Sequence, residues 1–184
     1  MIDIRPASLS DINRILEIEI QSFNSDAFSK RQFISLLRNN NVFFLVSETN
    51  QLISGYIILM KRKKSRKLRI YSIAVDPSYR RSNIGNELIK KAFLVAMKNN
   101  LRFLSLEVNQ QNKSAINFYI KHGFSIVKEI PNYYRDGEHG YRMIRDLYWK
   151  TQFIAWFVFE KFLAIQNGVY VFLKIALRRA LALS

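Results

Sequence analysis

The 184-residue chain contains no cysteine, which removes disulfides and thiolate metal sites and suits a reducing compartment. Its two histidines, His122 and His139, are too far apart to show metal-ligand spacing, so no metal is expected. Acid is scarce, with 14 Asp and Glu against 29 Lys and Arg and a net charge of +15. That balance supplies little for an acidic groove and favours anionic partners such as phosphate esters, RNA or acidic lipid headgroups. The opening Met-Ile-Asp-Ile-Arg-Pro lacks the charged-then-apolar pattern of a signal peptide, so the cytoplasm is the expected location. The tail's longest uncharged stretch, Phe162 to Leu173, is interrupted by Gln166-Asn167-Gly168 and falls short of the roughly 18 to 20 residues that span a bilayer. The length fits one domain with an ordinary core.

What is present reads as alternating strands and helices. Ile2 to Arg5 is a short strand, and Ser8-x-x-Asp11 resembles a capping box opening a helix with apolar face Ile12, Ile15, Leu16 and Phe23. Ser29-x-x-Gln32 repeats the device before Phe33, Leu36 and Leu37, so two helices are joined by Asn24 to Phe28. Val42 to Glu48 and Leu52 to Met60 form a hairpin around Thr49-Asn50-Gln51. A second hairpin returns on Leu68 to Val75 through Lys61 to Arg69, which has seven basic residues in nine. Such density must be solvated: an exposed turn is one reading, nonspecific RNA contact through 61–69 the other. The lack of interleaved aromatics argues against sequence-specific RNA binding.

Asn86 to Asn99 has helical spacing of apolar residues. In Leu101 to Asn109, Leu104, Leu106 and Val108 face one side, and Phe103, Ser105, Glu107 and Asn109 the other. Asn112 can cap a helix from Lys113 to His122, and Gly123 can end it in left-handed backbone. Ser125 to Ile130 and Tyr141 to Leu147 are the last strands. The order β, αα, βββ, α, β, α, ββ fits neither a bundle nor a doubly wound sheet.

A strand that runs through Val75-Asp76-Pro77 into a polar turn with Arg80, Arg81, Ser82, Asn83 and Gly85, and then into a helix, presents backbone N–H groups suited to a pyrophosphate. Arg80-x-x-Asn83-x-Gly85 resembles the acetyl-CoA loop of the GNAT N-acetyltransferases, usually Arg/Gln-x-x-Gly-x-Gly/Ala. Leu106-Glu107-Val108 followed by Asn112, Ala115, Ile116, Tyr119 and Gly123-Phe124 is similar to the ribosomal-protein-alanine and N-terminal (Nα) acetyltransferase branch. The resemblance covers residues 1–147. It implies an α/β (α+β) fold with a GNAT-type mixed, mostly antiparallel sheet flanked by helices on both faces.

The resemblance also implies acetyl-CoA as cosubstrate and direct attack of a primary amine on its thioester, the amine being the free α-amino group of a peptide or protein N-terminus, a ribosomal protein among the candidates. Ile73, Ala74 and Val75 would border the acyl arm, with oxyanion donors among the N–H groups around Ala74 and Val75. Arg80, Arg81, Ser82, Ile84 and Gly85 would wrap the pyrophosphate, and Asn112 would bond the CoA arm. Asn83 stands where the family has its first glycine, which puts cofactor affinity in question, although Asn enters left-handed backbone more readily than most residues. Glu107 would be the general base and Tyr119 the general acid. Phe23 and Phe28, with Tyr133, Tyr134 and Glu138 of a Tyr-Tyr…Gly-Glu loop, would line the acceptor, and Glu138 has Arg142 as an alternative partner. Polyamine, lysine or small-amine acetylation stays open, as does a non-catalytic membrane- or RNA-associated role on the same scaffold.

Residues 148–184 change composition, with tryptophans, phenylalanines and basic residues against one acid, Glu160. They read as a C-terminal helical extension broken at Gly168. Two readings stand: a basic amphipathic surface for an anionic membrane, which would place the chain peripherally at the inner membrane face, or a helical hairpin packed on its own domain or a partner protein.

Overall fold

Period-two hydrophobic runs and short turns build the strands, and capped amphipathic segments build the helices. The computed structural model describes residues 2–23 and 27–147, so the readings of 148–184 lie outside the described residues. The elements are β1 (Ile2–Pro6), α1 (Ile12–Phe23), α2 (Lys30–Leu37), β2 (Val42–Thr49), β3 (Leu52–Lys61), β4 (Lys67–Val75), α3 (Ile84–Lys98), β5 (Phe103–Asn109), α4 (Lys113–Lys121), β6 (Ser125–Ile130) and β7 (Gly140–Asp146). Short 3₁₀ turns, Leu9–Asp11 and Pro77–Tyr79, precede α1 and α3.

The strands form one sheet in the order β1-β2-β3-β4-β5-β7-β6. Every neighbouring pair is antiparallel except β4 and β5. Alternation along the strands feeds two cores. One lies under α3 and α4, joining Ile57, Leu59, Leu68, Ile70, Leu88 and Leu104. The other lies under α1 and α2, joining Ile15, Ile18, Phe33, Phe44, Tyr56 and Ile58. Helices cover both faces, as the sequence pattern implies.

Two features of β4 position the site. Its parallel pairing with β5 is confined to Lys67–Arg69 against Phe103–Ser105, so the two strands part beyond Arg69. Its register against β3 also slips, with Ile58 opposite Ser72 but Leu59 opposite Ile70, which makes Tyr71 the extra residue of a β-bulge. Two successive side chains, Tyr71 and Ser72, therefore face α1 and α2, and the alternation resumes beyond them.

Gly55 lets β4 and α3 come together over β3. A Cβ there would lie 2.8 Å from the Ala74 carbonyl oxygen and 3.2 Å from Ile84 Cγ2. The end of β4 is held by Asp76, 4% exposed, which accepts from Ser78 N at 2.7 Å and pairs with Arg14 of α1. Just before α1 the Ser8–Asp11 box forms: Asp11 Oδ2 accepts from Ser8 N at 2.7 Å, and Arg5 bonds both carboxylate oxygens.

The basic segment resolves into two parts. Arg62, Lys63, Lys64 and Arg66 are exposed on the β3–β4 turn, whereas Arg69 leaves the charged surface and enters the groove described below. Among the described residues, no helix is long and apolar enough to cross a membrane.

The Arg5 guanidinium holds the Asp11 carboxyl down to about 2, below its unfolded value of 3.8. The unfolded state binds the proton first, so this contribution is whole above pH 4 and is lost as pH falls through about 2. Asp11→Asn is expected to cost on the order of 2 kcal/mol at pH 7 and to converge with wild type near pH 2, read from urea midpoints. Gly55→Ala is expected to cost about 1–3 kcal/mol by forcing β4 away from β3, read from the same transitions at pH 7.

Candidate active site

The parting of β4 from β5 opens a groove of about 660 Å³. Its walls are the β4 segment from Arg69 to Ile73, the β5 segment from Leu106 to Asn109, the start of α4, the α1–α2 region and the β6–β7 loop. Glu107, Asn112, Tyr119, Ile73, Phe23, Phe28, Tyr133 and Tyr134 all line it. Residues from five chain segments, up to 111 positions apart, therefore converge on one cavity.

Glu107 is tied down. Its side chain is 7% exposed, Arg69 Nε donates to Oε2 at 2.6 Å and Arg142 Nε donates to Oε1 at 3.0 Å. A carboxylate placed this way keeps a lone pair on each oxygen, so it can accept from an ammonium ion while both guanidinium groups stay bound. The pairing suggested for Glu138 is corrected: Arg142 bonds Glu107, while the Glu138 main-chain N donates to Asp136, its O accepts from Tyr134 N, and the residue lies outside the groove lining.

Arg69 links both sides of the groove. Besides Glu107 it donates from Nη2 to Tyr133 Oη at 2.9 Å and stands 5.0 Å over the Tyr71 ring. Tyr71 stacks on Phe28 at 5.3 Å, and Phe28 meets Phe33 edge-on. Phe28 thus helps form the wall at the start of α2, whereas Phe23 is 37% exposed at the end of α1. Tyr133 and Tyr134 pack edge to face at 5.1 Å.

Tyr119 is 8% exposed on α4 and packs against Phe118 and Phe124. Burial pushes its phenol above the ordinary tyrosine range, so it keeps its proton at neutral pH. Asn112 accepts from Ala115 N at 3.0 Å and caps α4; capping and groove lining coexist in this residue. Gly123, at φ +76°, ends the helix in left-handed backbone.

The pyrophosphate-type loop lies at the far end of β4. Arg80, Arg81, Ser82 and Asn83 are exposed and outside the groove lining. Arg81 and Asn83 have φ of 64° and 69°. Asn83 thus adopts the left-handed backbone that a glycine would supply, and its Nδ2 donates to Glu87 Oε1 at 3.0 Å. Ile84 is buried at the first turn of α3, and a Cβ on Gly85 would lie 3.3 Å from Phe118 Cζ. The open loop, two left-handed residues and the N-terminus of a 15-residue helix fit an anionic diphosphate. Of the three β4 residues assigned to the acyl arm, Ile73 lines the groove, while Ala74 is buried under α1 and α2 and Val75 packs toward α3 and Gly85. The β4 residues lining the cavity run from Arg69 to Ile73.

Sequence reasoning missed a second carboxyl in the groove. Glu19 on α1 is 1% exposed. It accepts from Phe28 N at 2.9 Å and from the Tyr56 hydroxyl, which also lies 2.9 Å from Ser72 Oγ. Burial raises the Glu19 carboxyl above its ordinary range, against the lowering effect of these bonds. A signal existed: Glu19 stands four residues after Ile15 and seven after Ile12, on the apolar face of α1. No group of three His, Cys, Asp or Glu able to hold a metal occurs among the described residues.

Tyr133→Phe removes the phenol that receives Arg69. The β6–β7 loop is expected to loosen by about 1 kcal/mol, read as faster hydrogen exchange at the Tyr134 and Gly137 amides with the sheet amides unchanged.

Comparison with known proteins supplies the remaining constraint. Residues 9–124 match the Acetyltransferase (GNAT) family. The chain is 34% identical to an N-alpha-acetyltransferase of Sulfurisphaera tokodaii, over 78% of this chain and 92% of the relative. Among solved structures, Ard1 from Thermoplasma volcanium superposes with a TM-score of 0.73 at 30% identity, covering 79% of this chain and 97% of that one. The ribosomal-protein-S18-alanine N-acetyltransferase from Escherichia coli does so with a TM-score of 0.72 at 25% identity, covering 80% and 94%. With the parted strands, the diphosphate-type loop and this match over more than half its length, the chain belongs to the GNAT family of acetyl-CoA-dependent N-acetyltransferases.

Proposed function

We propose that the chain acetylates the free α-amino group of a peptide or protein N-terminus. The observation that carries this reading is the groove itself: Glu107 and Tyr119 share one cavity, and Tyr133 and Tyr134 line it from the β6–β7 loop. The likeness to relatives named for N-terminal acetylation supports the same acceptor class.

Acetyl-CoA, when bound, brings an acyl group already activated as a thioester, so the chain need not provide a nucleophile. The main-chain N–H groups at the start of α3, with Arg80, Arg81, Ser82, Asn83 and Gly85, hold the pyrophosphate. Beyond Arg69 the β4 backbone is released from the β5 ladder, which leaves main-chain N–H groups available to polarise a carbonyl. Asn112 remains a hydrogen-bonding residue for the CoA arm.

The carboxylate of Glu107, its orientation fixed by Arg69 and Arg142, offers the acceptor's ammonium a hydrogen-bond acceptor in the groove. Phe28 and the two tyrosines shape the passage for the first acceptor residues. Tyr119, proton-bearing because it is buried, holds a proton at Oη for the leaving group. This division assigns Glu107 alignment, in keeping with its two guanidinium partners.

The test is CoA release with peptides of free Ala, Ser or Met N-terminus, set beside N-blocked lysine peptides and spermidine. Turnover is expected with the free N-termini alone. Glu107→Gln is expected to lower kcat/KM about tenfold or more while acetyl-CoA affinity stays within about twofold of wild type. Preferential turnover of spermidine or the lysine peptides would overturn the acceptor assignment.

A further inference from the structure

The two carboxyls in the groove differ in what surrounds them. Glu107 meets a guanidinium at each oxygen. Among the described residues, Glu19 meets neutral donors alone, the Phe28 amide and the Tyr56 hydroxyl. The Tyr56 hydroxyl in turn contacts Ser72 Oγ at 2.9 Å, and Ser72 lines the groove directly after the bulge at Tyr71.

Hydrogen-bond bookkeeping gives this chain a direction. An ionised carboxylate has no proton to offer, so the Tyr56 hydroxyl donates to Glu19. Its only proton is then committed, and Ser72 must donate its own to the Tyr56 oxygen. The lone pairs of Ser72 Oγ are left as the receiving end, on the groove side. All three groups thus point protons from the groove toward α1. The Tyr56 ring is fully buried and Ser72 is 9% exposed, so bulk water does not interrupt the path.

Resting on the N-acetyltransferase reading above, we propose that Ser72, Tyr56 and Glu19 form a proton relay that deprotonates the acceptor amine. An N–H bond of the ammonium breaks and its proton goes to Ser72 Oγ. The Ser72 proton passes to the Tyr56 oxygen, and the Tyr56 proton passes to the Glu19 carboxylate. The products are a neutral amine and a protonated Glu19, which passes its proton back through Tyr56 and Ser72 to water once the product has left the groove, so one proton moves and no reactant besides water is needed. Burial raises the Tyr56 phenol well above its ordinary range, so this group hands protons on without ionising. The raised Glu19 carboxyl suits a group that must accept one.

The other ionisable groups lining the groove are Arg69 and Tyr71 on β4, Glu107 on β5, Tyr119 on α4, and Tyr133, Tyr134 and Arg135 on the β6–β7 loop. Arg69 and Glu107 satisfy each other. Ser22, one turn beyond Glu19, lines the same cavity, and its buried Oγ has no hydrogen-bond partner among the described residues.

The test compares wild type with Tyr56→Phe, Ser72→Ala and Glu19→Gln in CoA-release kinetics at pH 7 and pH 9.5. An α-amino group with a pKa near 8 is mainly an ammonium at the first pH and mainly free amine at the second. Each variant is expected to lose about tenfold or more in kcat at pH 7 and to recover to within about threefold of wild type at pH 9.5. Acetyl-CoA binding by calorimetry is expected to stay within about twofold for Tyr56→Phe and Ser72→Ala, which separates loss of the relay from loss of the fold. A deficit of equal size at both pH values, or none at pH 7, overturns the relay. The assay uses whichever of the N-terminal peptides, lysine peptides or spermidine the wild type turns over best. If spermidine or lysine is that acceptor, the N-terminal reading fails, and the second pH is raised to about 11, above the ammonium's pKa of about 10.4, so the relay is still decided by the pH comparison. Wild-type CoA release with none of them overturns both.

Discussion

The site depends on a failure of pairing: β4 and β5 run side by side for three residue pairs and then part. A parallel pair that continued would fill the space with its own ladder and leave no unpaired main-chain groups. Parting costs those hydrogen bonds, and such groups are tolerated only where a ligand or water satisfies them. The bulge at Tyr71 adds to this by putting two neighbouring side chains on one face. Tyr71 supports the Phe28 wall, and Ser72 reaches the buried polar chain to α1. A strand without the bulge would send one of them into the opposite core.

The stabilising contacts around this opening lie mainly at its margins. Asp76 pins the end of β4 to α1 through Arg14, and Gly55 lets the same strand lie against α3. Phe118 packs between Gly85 and His122, so the helix bearing Tyr119 sits against the end of the diphosphate-type loop, at the first turn of α3. The two ends of the site are thereby referenced to one another through side-chain contact rather than through the sheet alone.

Much of this was legible in the sequence because it is local. Ser29-x-x-Gln32 opens α2, Asn112 caps α4, Gly123 ends it, and Ser125 to Ile130 is a strand, all as the pattern predicts. Asn83 takes the left-handed backbone for which Asn is suited. What escaped was set by long-range partners. Arg69 reads as one more cation in a basic run, because nothing local marks a contact with Glu107, 38 residues away. The bulge is a register relation between two strands and has no residue of its own to announce it. Glu19 alternates with Glu17 in a stretch that looks like solvated helix, and only its phase with Ile12 and Ile15 betrays that it faces inward.

The double arginine clasp on Glu107 also bears on the charge of the groove. One carboxylate meets two guanidinium groups, so the cluster keeps one net positive charge and position 107 sets its strength. A neutral residue there would free both guanidinium groups from this carboxylate and raise the local charge from one to two.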